Sequence, residues 1–218
     1  MSPLLLEKFL TALLQTLTMV GVSGVIAFVL GIPLAVLLVV TAPDGIDPSP
    51  RLYRALSTLV DGVRSTPFII MLILFIPVTR WLLGSAIGVP AAIVPLTIGI
   101  TPYFARISEI SLREVGAGLV EAARAMGCSR WHIIRHVLLP EALPGIVAGM
   151  TISVVALFNT SAMAGALGAG GLGDLAIRYG YQRYDTAIMI YVVILLFVLV
   201  TLAQYLGERT VRHIRSKR

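Results

Sequence analysis

Side chains able to do chemistry are few in this chain, and their spacing excludes most of the reactions they could serve. Lys8 and Lys217 are its two lysines and no Gly-x-x-x-x-Gly-Lys-Ser/Thr run occurs, so it has no P-loop to cradle nucleotide phosphates. His132 and His136 stand four apart, the spacing of a metal-binding pair on a helix. No glutamate of an HExxH motif lies between them and no third ligand is near, so no metal site is assigned. Cys128 is the single cysteine, which excludes an internal disulfide and a cysteine-based metal cluster. Gly168, Gly170 and Gly173 match the dinucleotide-binding fingerprint letter for letter, but no strand precedes them and the setting is apolar, so the match is spurious. No nucleophile and base converge. The expectation is a protein with no catalytic residue, no cofactor and no enzymatic activity of its own.

What stands out instead is a stretch suited to receiving force. From Val120 to Ile146 the chain reads VEAARAMGCSRWHIIRHVLLPEALPGI, a charged island between long apolar runs. Good helix formers lead to Gly127, placed to end a helix where a left-handed residue costs least. Ser129 can cap a second helix whose Ile133, Ile134, Val137 and Leu138 form one apolar stripe, and Pro140 is expected to end it. Two short helices meeting at a glycine elbow are too polar to span a bilayer and fit a groove on a partner protein. Without a partner, the same residues would make an interfacial amphipathic hairpin.

The elements that must position this elbow are membrane spans. Of 218 residues, 57 % are hydrophobic and 13 % charged, with a mean hydropathy of +0.93. Soluble domains carry about 25 % charge, so this composition indicates an integral membrane protein. Residues 9–43, 81–105, 142–173 and 186–207 contain no Asp, Glu, Lys or Arg, and each is long enough for a helix of roughly 20 apolar residues. A fifth run, 65–79, becomes long enough if it starts near Leu56 and carries Asp61 and Arg64 in its first turns, where the two can pair. Five spans place thirteen of the basic residues on one face and four on the other. The majority face is read as cytoplasmic, putting the N-terminus outside, the C-terminus inside and the elbow in the cytoplasm. Met1 to Phe9 lacks a basic segment followed by a small-residue cleavage site, so the first run is read as a retained span.

Further features follow the chain. The third span is expected over Val89 to about Phe104, continuing through Arg106, Glu109, Arg113 and Glu114, whose spacing suits ion pairs along an exposed helical face. The fourth is placed from near Pro144 into the small-residue run ending at Gly173, where glycines allow close helix contact or a break. Asp174 to Asp185 reads as an outer loop rich in Tyr and Arg, an aromatic belt or a docking surface. Apart from Asp61 the apolar runs hold no carboxylate, which argues against an ion-coupled relay. The pI near 9.9 follows the basic residues of the inner face and shows no aromatic-basic interleaving, so nucleic acid is not an expected partner.

The order Glu121-Ala122-Ala123, three residues, Gly127, nine residues, Val137-Leu138-Leu139-Pro140 resembles the EAA loop of ABC importer permeases, with Val137 where that family usually has Ile. Ser161-Ala162-Met163, the Gly-Ala-Gly-Gly-Leu-Gly run and Arg178-Tyr179-Gly180-Tyr181 are similar to the methionine-uptake permeases, and this likeness covers essentially the whole chain. The resemblance implies an all-α integral membrane protein of the type I ABC importer permease fold, one transmembrane domain over 1–218 with a cytoplasmic coupling loop at about 106–143. It implies a homodimer in the bacterial inner membrane with two copies of a cytoplasmic ABC ATPase and an extracytoplasmic methionine-binding protein, importing methionine, L- and D-. Glu121, Ala122, Ala123 and Gly127 would then make the coupling contact, with Leu139 and Pro140 fixing its second helix. Met163 and Gly165 are assigned to the translocation path or gate on position alone. A permease for another small amino acid, a secondary transporter and a docking scaffold are the alternatives.

Overall fold

The computed structural model describes residues 3–217, with side chains from Leu5 onward. The regular elements among the described residues are all helical, joined by short turns and connections. The chain runs α1 (Pro3–Thr41), α2 (Pro50–Ser65), α3 (Phe68–Leu74), α4 (Ile76–Leu83), α5 (Val89–Arg113), α6 (Ala117–Ala125) and α7 (Arg130–Ile133). A π turn over Ile134–Leu138 leads into α8 (Leu139–Ala164), a stretch over Gly165–Ala169 kinked at Leu167 and Gly168 precedes α9 (Gly171–Leu175), and a second π turn over Ala176–Tyr181 precedes α10 (Thr186–Arg215). Four helical stretches are long and apolar enough to cross a membrane, Leu5–Thr41, Val89–Arg113, Arg130–Ala169 and Thr186–Arg215. A fifth exists only if α2 and α3, bent by 101° to one another, are counted together.

That bend corrects the expected second span. Asp61 and Arg64 are not in the first turns of one continuous helix: they lie towards the end of α2, an amphipathic helix that breaks before the apolar α3 begins at Phe68. Pro67 dictates the break, because its ring pushes the preceding residue out of the helical region, and Thr66 is extended at φ −81°, ψ 124°. The carbonyls freed at the end of α2 are taken up locally. Ser65 Oγ donates to Asp61 O at 2.7 Å and Thr66 Oγ1 to Gly62 O at 3.0 Å.

The expected stop at Pro140 is also corrected. The helix begun at Arg130 continues through Pro140 to Ala164 as one stretch. Proline cannot donate a hydrogen bond and its ring crowds the carbonyl four residues back. Here the wider π turn accommodates it, with the Leu139 N–H reaching back five residues to Ile134 O. The fourth span therefore begins at the elbow and not near Pro144.

Asp174 to Asp185 is likewise not a simple loop, since residues 171–181 are helical. The glycine run reverses the chain, with Gly168 at φ +90°, Gly170 at +86° and Gly171 at +80°. The chain then folds back along α1 and α8. Two first-turn donors of α9 are capped by α1: Gly171 N–H donates to Gln15 Oε1 at 2.8 Å and Leu172 N–H to Thr16 Oγ1 at 2.9 Å.

Three apolar clusters hold the spans. Met19, Leu96, Ile100, Leu157 and Phe158 fill the middle. Phe104, Leu112, Ile134, Leu138 and Ile146 fill the elbow end, and Phe9, Leu172, Leu175, Ile188 and Val192 the other. Along α10, by contrast, Val193, Ile194, Phe197 and Leu202 are exposed, an apolar face that only lipid or another subunit can cover.

Candidate functional site: the elbow and the open face of α8

The elbow forms as its residues dictate. α6 ends in a Schellman motif: Cys128 N–H donates to Ala123 O at 3.1 Å and Gly127 N–H to Arg124 O at 2.9 Å. Gly127 sits at φ +77°, the left-handed region that L side chains avoid. Ser129 is the N-cap of α7, its Oγ accepting from His132 N–H at 3.3 Å. Ile133, Ile134 and Leu138 turn inward and are buried, while Val137 is partly so.

The sequence-assigned residues divide by exposure. Ala123 is buried against the protein, whereas Glu121, Ala122 and Gly127 are exposed. Leu139 is half-buried within the bend and Pro140 exposed in the first turn of α8. Around them stand exposed apolar side chains that the sequence reading did not assign: Leu119, Met126 at 76 % exposure and Trp131 at 66 %. Large apolar groups beside a polar rim mark a surface that another protein or the lipid interface covers. Their signal in the sequence is apolar side chains on the polar faces of two short helices. His132 and His136 stack with ring centroids 4.2 Å apart, and no group of three or more His, Cys, Asp or Glu among the described residues is placed to hold a metal.

A hydrogen bond and an ion pair tie the elbow to the rest of that end. Arg124 Nη2 donates to Gly45 O at 3.2 Å, and Arg130 pairs with Asp47. On α5 the expected pairs form, Arg106 Nη1 to Glu109 Oε2 at 2.6 Å and Arg113 Nε to Glu109 Oε1 at 3.0 Å. The face is not exposed, however, as Glu109 is only 2 % accessible. The expectation of a solvated face fails because α2 and the connection 42–49 fold over it. Asp61 pairs with Arg64 at 3.3 Å as expected and is also bound by Arg106 at 2.9 Å.

Beyond the elbow, α8 presents an open stripe. Ile152, Asn159 and Met163 are exposed and separated by whole turns. Between this stripe, α5 and α10 lies a cavity of about 750 Å³ that includes Tyr103, Asn159, Gln204 and Glu208 in its lining. A second, about 420 Å³, opens on the other side of Tyr103 towards Arg64 and Thr160. A side-chain amide exposed within a span avoids lipid and faces protein or water, so the stripe reads as the wall of a path or of an interface. Asn159 is the one amide in the run 142–173, a signal available in the sequence and not used. Met163 and Gly165 separate here: Met163 is half exposed on the stripe, while Gly165 is buried against the backbone of α9.

At the opposite end, Lys8 Nζ donates to Tyr179 OH at 2.8 Å, and the Arg183 guanidinium lies 4.6 Å from the centroid of the same ring. The Lys8 hydrogen bond holds the Tyr179 phenol below its ordinary pKa. Tyr181 and Tyr184 are exposed beside it.

Residues 27–216 match the family model described as binding-protein-dependent transport system inner membrane component. Over 208 residues the chain is 51 % identical to the probable D-methionine transport system permease protein MetI of Vibrio cholerae, covering 95 % of this chain and 92 % of that protein. It is 53 % identical over 151 residues to the D-methionine transport system permease protein MetI of Salmonella typhi, covering 69 % and 70 % of the two chains. A solved structure of the MetNI methionine ABC transporter in an inward-facing conformation superposes with a TM-score of 0.96 at 48 % identity, covering 98 % of this chain and 99 % of its own.

Proposed function

The chain belongs to the binding-protein-dependent transport system inner membrane components, and from that premise we propose that it is the permease subunit of an ATP-driven methionine importer of the bacterial inner membrane. Two copies form the path, a separate ATPase dimer supplies the energy, and an external binding protein delivers methionine, the D- isomer included. The observation that carries this reading is the elbow's continuity with a span. Because the helix from Arg130 passes through Pro140 to Ala164 without a break, a displacement applied at Gly127 moves the wall bearing Asn159 and Met163.

In this reading the elbow end faces the cytoplasm, with the N-terminus outside and the C-terminus inside. Glu121, Ala122 and Gly127 meet the ATPase, joined by Met126 and Trp131, and Ala123 seats the helix from behind. Leu139 and Pro140 form the π-turned joint that stiffens the lever. Met163 supplies the gate side chain, and Gly165 is the joint that lets α9 close behind it. The exposed Tyr181 and Tyr184 beside Lys8 and Arg183 form the docking face for the binding protein. Closure of the ATPase on nucleotide rocks the spans between two arrangements, each favoured by a different ligand state.

The test is uptake of labelled methionine into vesicles holding this chain with its partner ATPase and binding protein. Uptake that requires hydrolysis and the binding protein, and that unlabelled D- and L-methionine compete away, is the expected result. ATP-driven uptake of another amino acid would keep the mechanism and replace the substrate. Uptake indifferent to ATP would overturn both.

A further inference from the structure

Glu109 is an unusual residue for its place. Its carboxylate is buried near the end of a span, and each oxygen accepts from a different arginine of the same helix, Arg106 at 2.6 Å and Arg113 at 3.0 Å. Each arginine then turns its remaining nitrogens outward to another segment. Arg106 Nη2 reaches Ser57 Oγ at 2.8 Å and both oxygens of Asp61 at 2.9 Å on α2. Arg113 reaches Asp44 at 3.2 Å and Tyr53 OH at 3.4 Å. The connection holding Asp44 in turn meets the elbow, through Gly45 to Arg124 and Asp47 to Arg130. One buried carboxylate thus fixes the orientation of two guanidiniums that bridge α5, α2 and the connection 42–49.

Burying such a charge contributes little stability compared with well-packed apolar side chains, but it fixes geometry, because charged hydrogen bonds are directional where apolar contacts can slide. The apolar cluster between the same segments already supplies cohesion through Ile46, Val120, Ile134 and Leu138. What the ionic links add is register.

We propose that Glu109 is a positioning residue for energy coupling, clamping Arg106 and Arg113 so that α2, the connection 42–49 and the elbow move with the end of α5 as one body. This rests on the coupling role proposed for the elbow. A thrust at Gly127 then reaches two walls at once, α8 directly and α3 through α2.

The complete permease–ATPase complex with its binding protein tests this. Spin labels on Arg51→Cys in α2 and Gly118→Cys in α6, in a Cys128→Ser background, report the separation of the two segments without nucleotide and with vanadate-trapped nucleotide. One narrow distance common to both states is expected with Glu109 present. Glu109→Gln should broaden it and lower methionine transported per ATP hydrolysed several-fold, with Glu109→Asp recovering part of the loss. A narrow distance and unchanged transport per ATP in Glu109→Gln would overturn the proposal. Should that variant not assemble, Asp44→Asn with Asp61→Asn, which neutralises the two outer carboxylates and leaves Glu109 in place, must broaden the same distance or the clamp is refuted. If the wild-type complex moves no methionine, the substrate assignment fails and the label distances still decide the clamp.

Discussion

One nitrogen of Arg106 on α5 lies 2.9 Å from each carboxylate oxygen of Asp61 on α2, forty-five residues earlier in the chain. Arg106 is mostly buried and Asp61 half exposed, so removing one partner costs more than at a surface bridge and less than at a fully buried pair. Asp61→Asn should destabilise the detergent-solubilised protein by about 1 kcal/mol, a loss measurable as a lower thermal midpoint. High salt should shrink the difference between variant and wild type, because the exposed half of the pair is screened.

Gly127 is held at φ +77° with open space where a Cβ would stand, so a side chain there costs backbone strain and nothing else. Gly127→Val should cost about 1–2 kcal/mol at the elbow and lower transport per ATP, leaving membrane insertion intact. Gly127→Asn, which tolerates the left-handed region, should retain most of the coupling. Equal behaviour of the two variants would show that the elbow's conformation is unimportant.

Close backbone packing makes the opposite case at Gly165. A Cβ there would stand 2.5 Å from Asp174 N and 2.9 Å from Gly170 O, main-chain atoms that cannot swing aside. Gly165→Ala should therefore lower stability by about 1–3 kcal/mol. Gly62→Ala, in α2 with nothing within 4 Å, should raise it by up to about 1 kcal/mol through helix propensity. Thermal unfolding of the pair would separate space from propensity, and like-signed shifts would refute the account.

Thr16 Oγ1 accepts from the buried Leu172 N–H at 2.9 Å, an acceptor that valine keeps in shape and loses in chemistry. Thr16→Val should leave that donor unsatisfied at a cost of about 1–3 kcal/mol, with faster amide exchange at the start of α9. Unchanged exchange there would mean that the cap is incidental.

Met126 and Trp131 are the exposed apolar side chains nearest the elbow's tip. Truncating either to Ala should leave the isolated permease as stable as before and weaken its association with the ATPase by more than about 1 kcal/mol, the scale of an interface anchor. Binding of detergent-solubilised permease to immobilised ATPase reads this directly. Full retention of affinity in both variants would move the docking surface elsewhere.

Features that depend on neighbours within a few residues, or on bulk composition, are legible in the order of amino acids alone. Charge-free runs fixed four crossings because an apolar helix needs only length and the absence of charge. Gly127 and Ser129 fixed the elbow because a Schellman stop and an N-cap are closed by hydrogen bonds across five residues or fewer. The rest depends on packing between distant segments. Pro140 reads as a stop in sequence, yet packing of Ile134 and Leu138 into the elbow-end core keeps the helix going, and a π turn absorbs the missing donor. Asp61 reads as an entrant to the membrane, yet once Pro67 has ended its helix it is Arg106, far away in sequence, that binds it. Arg106, Glu109 and Arg113 read as a solvated face, yet segments from 42–61 cover them. In each case the deciding partner is distant along the chain. Local spacing fixes which bonds a residue can make, and burial by remote segments fixes which ones it does make.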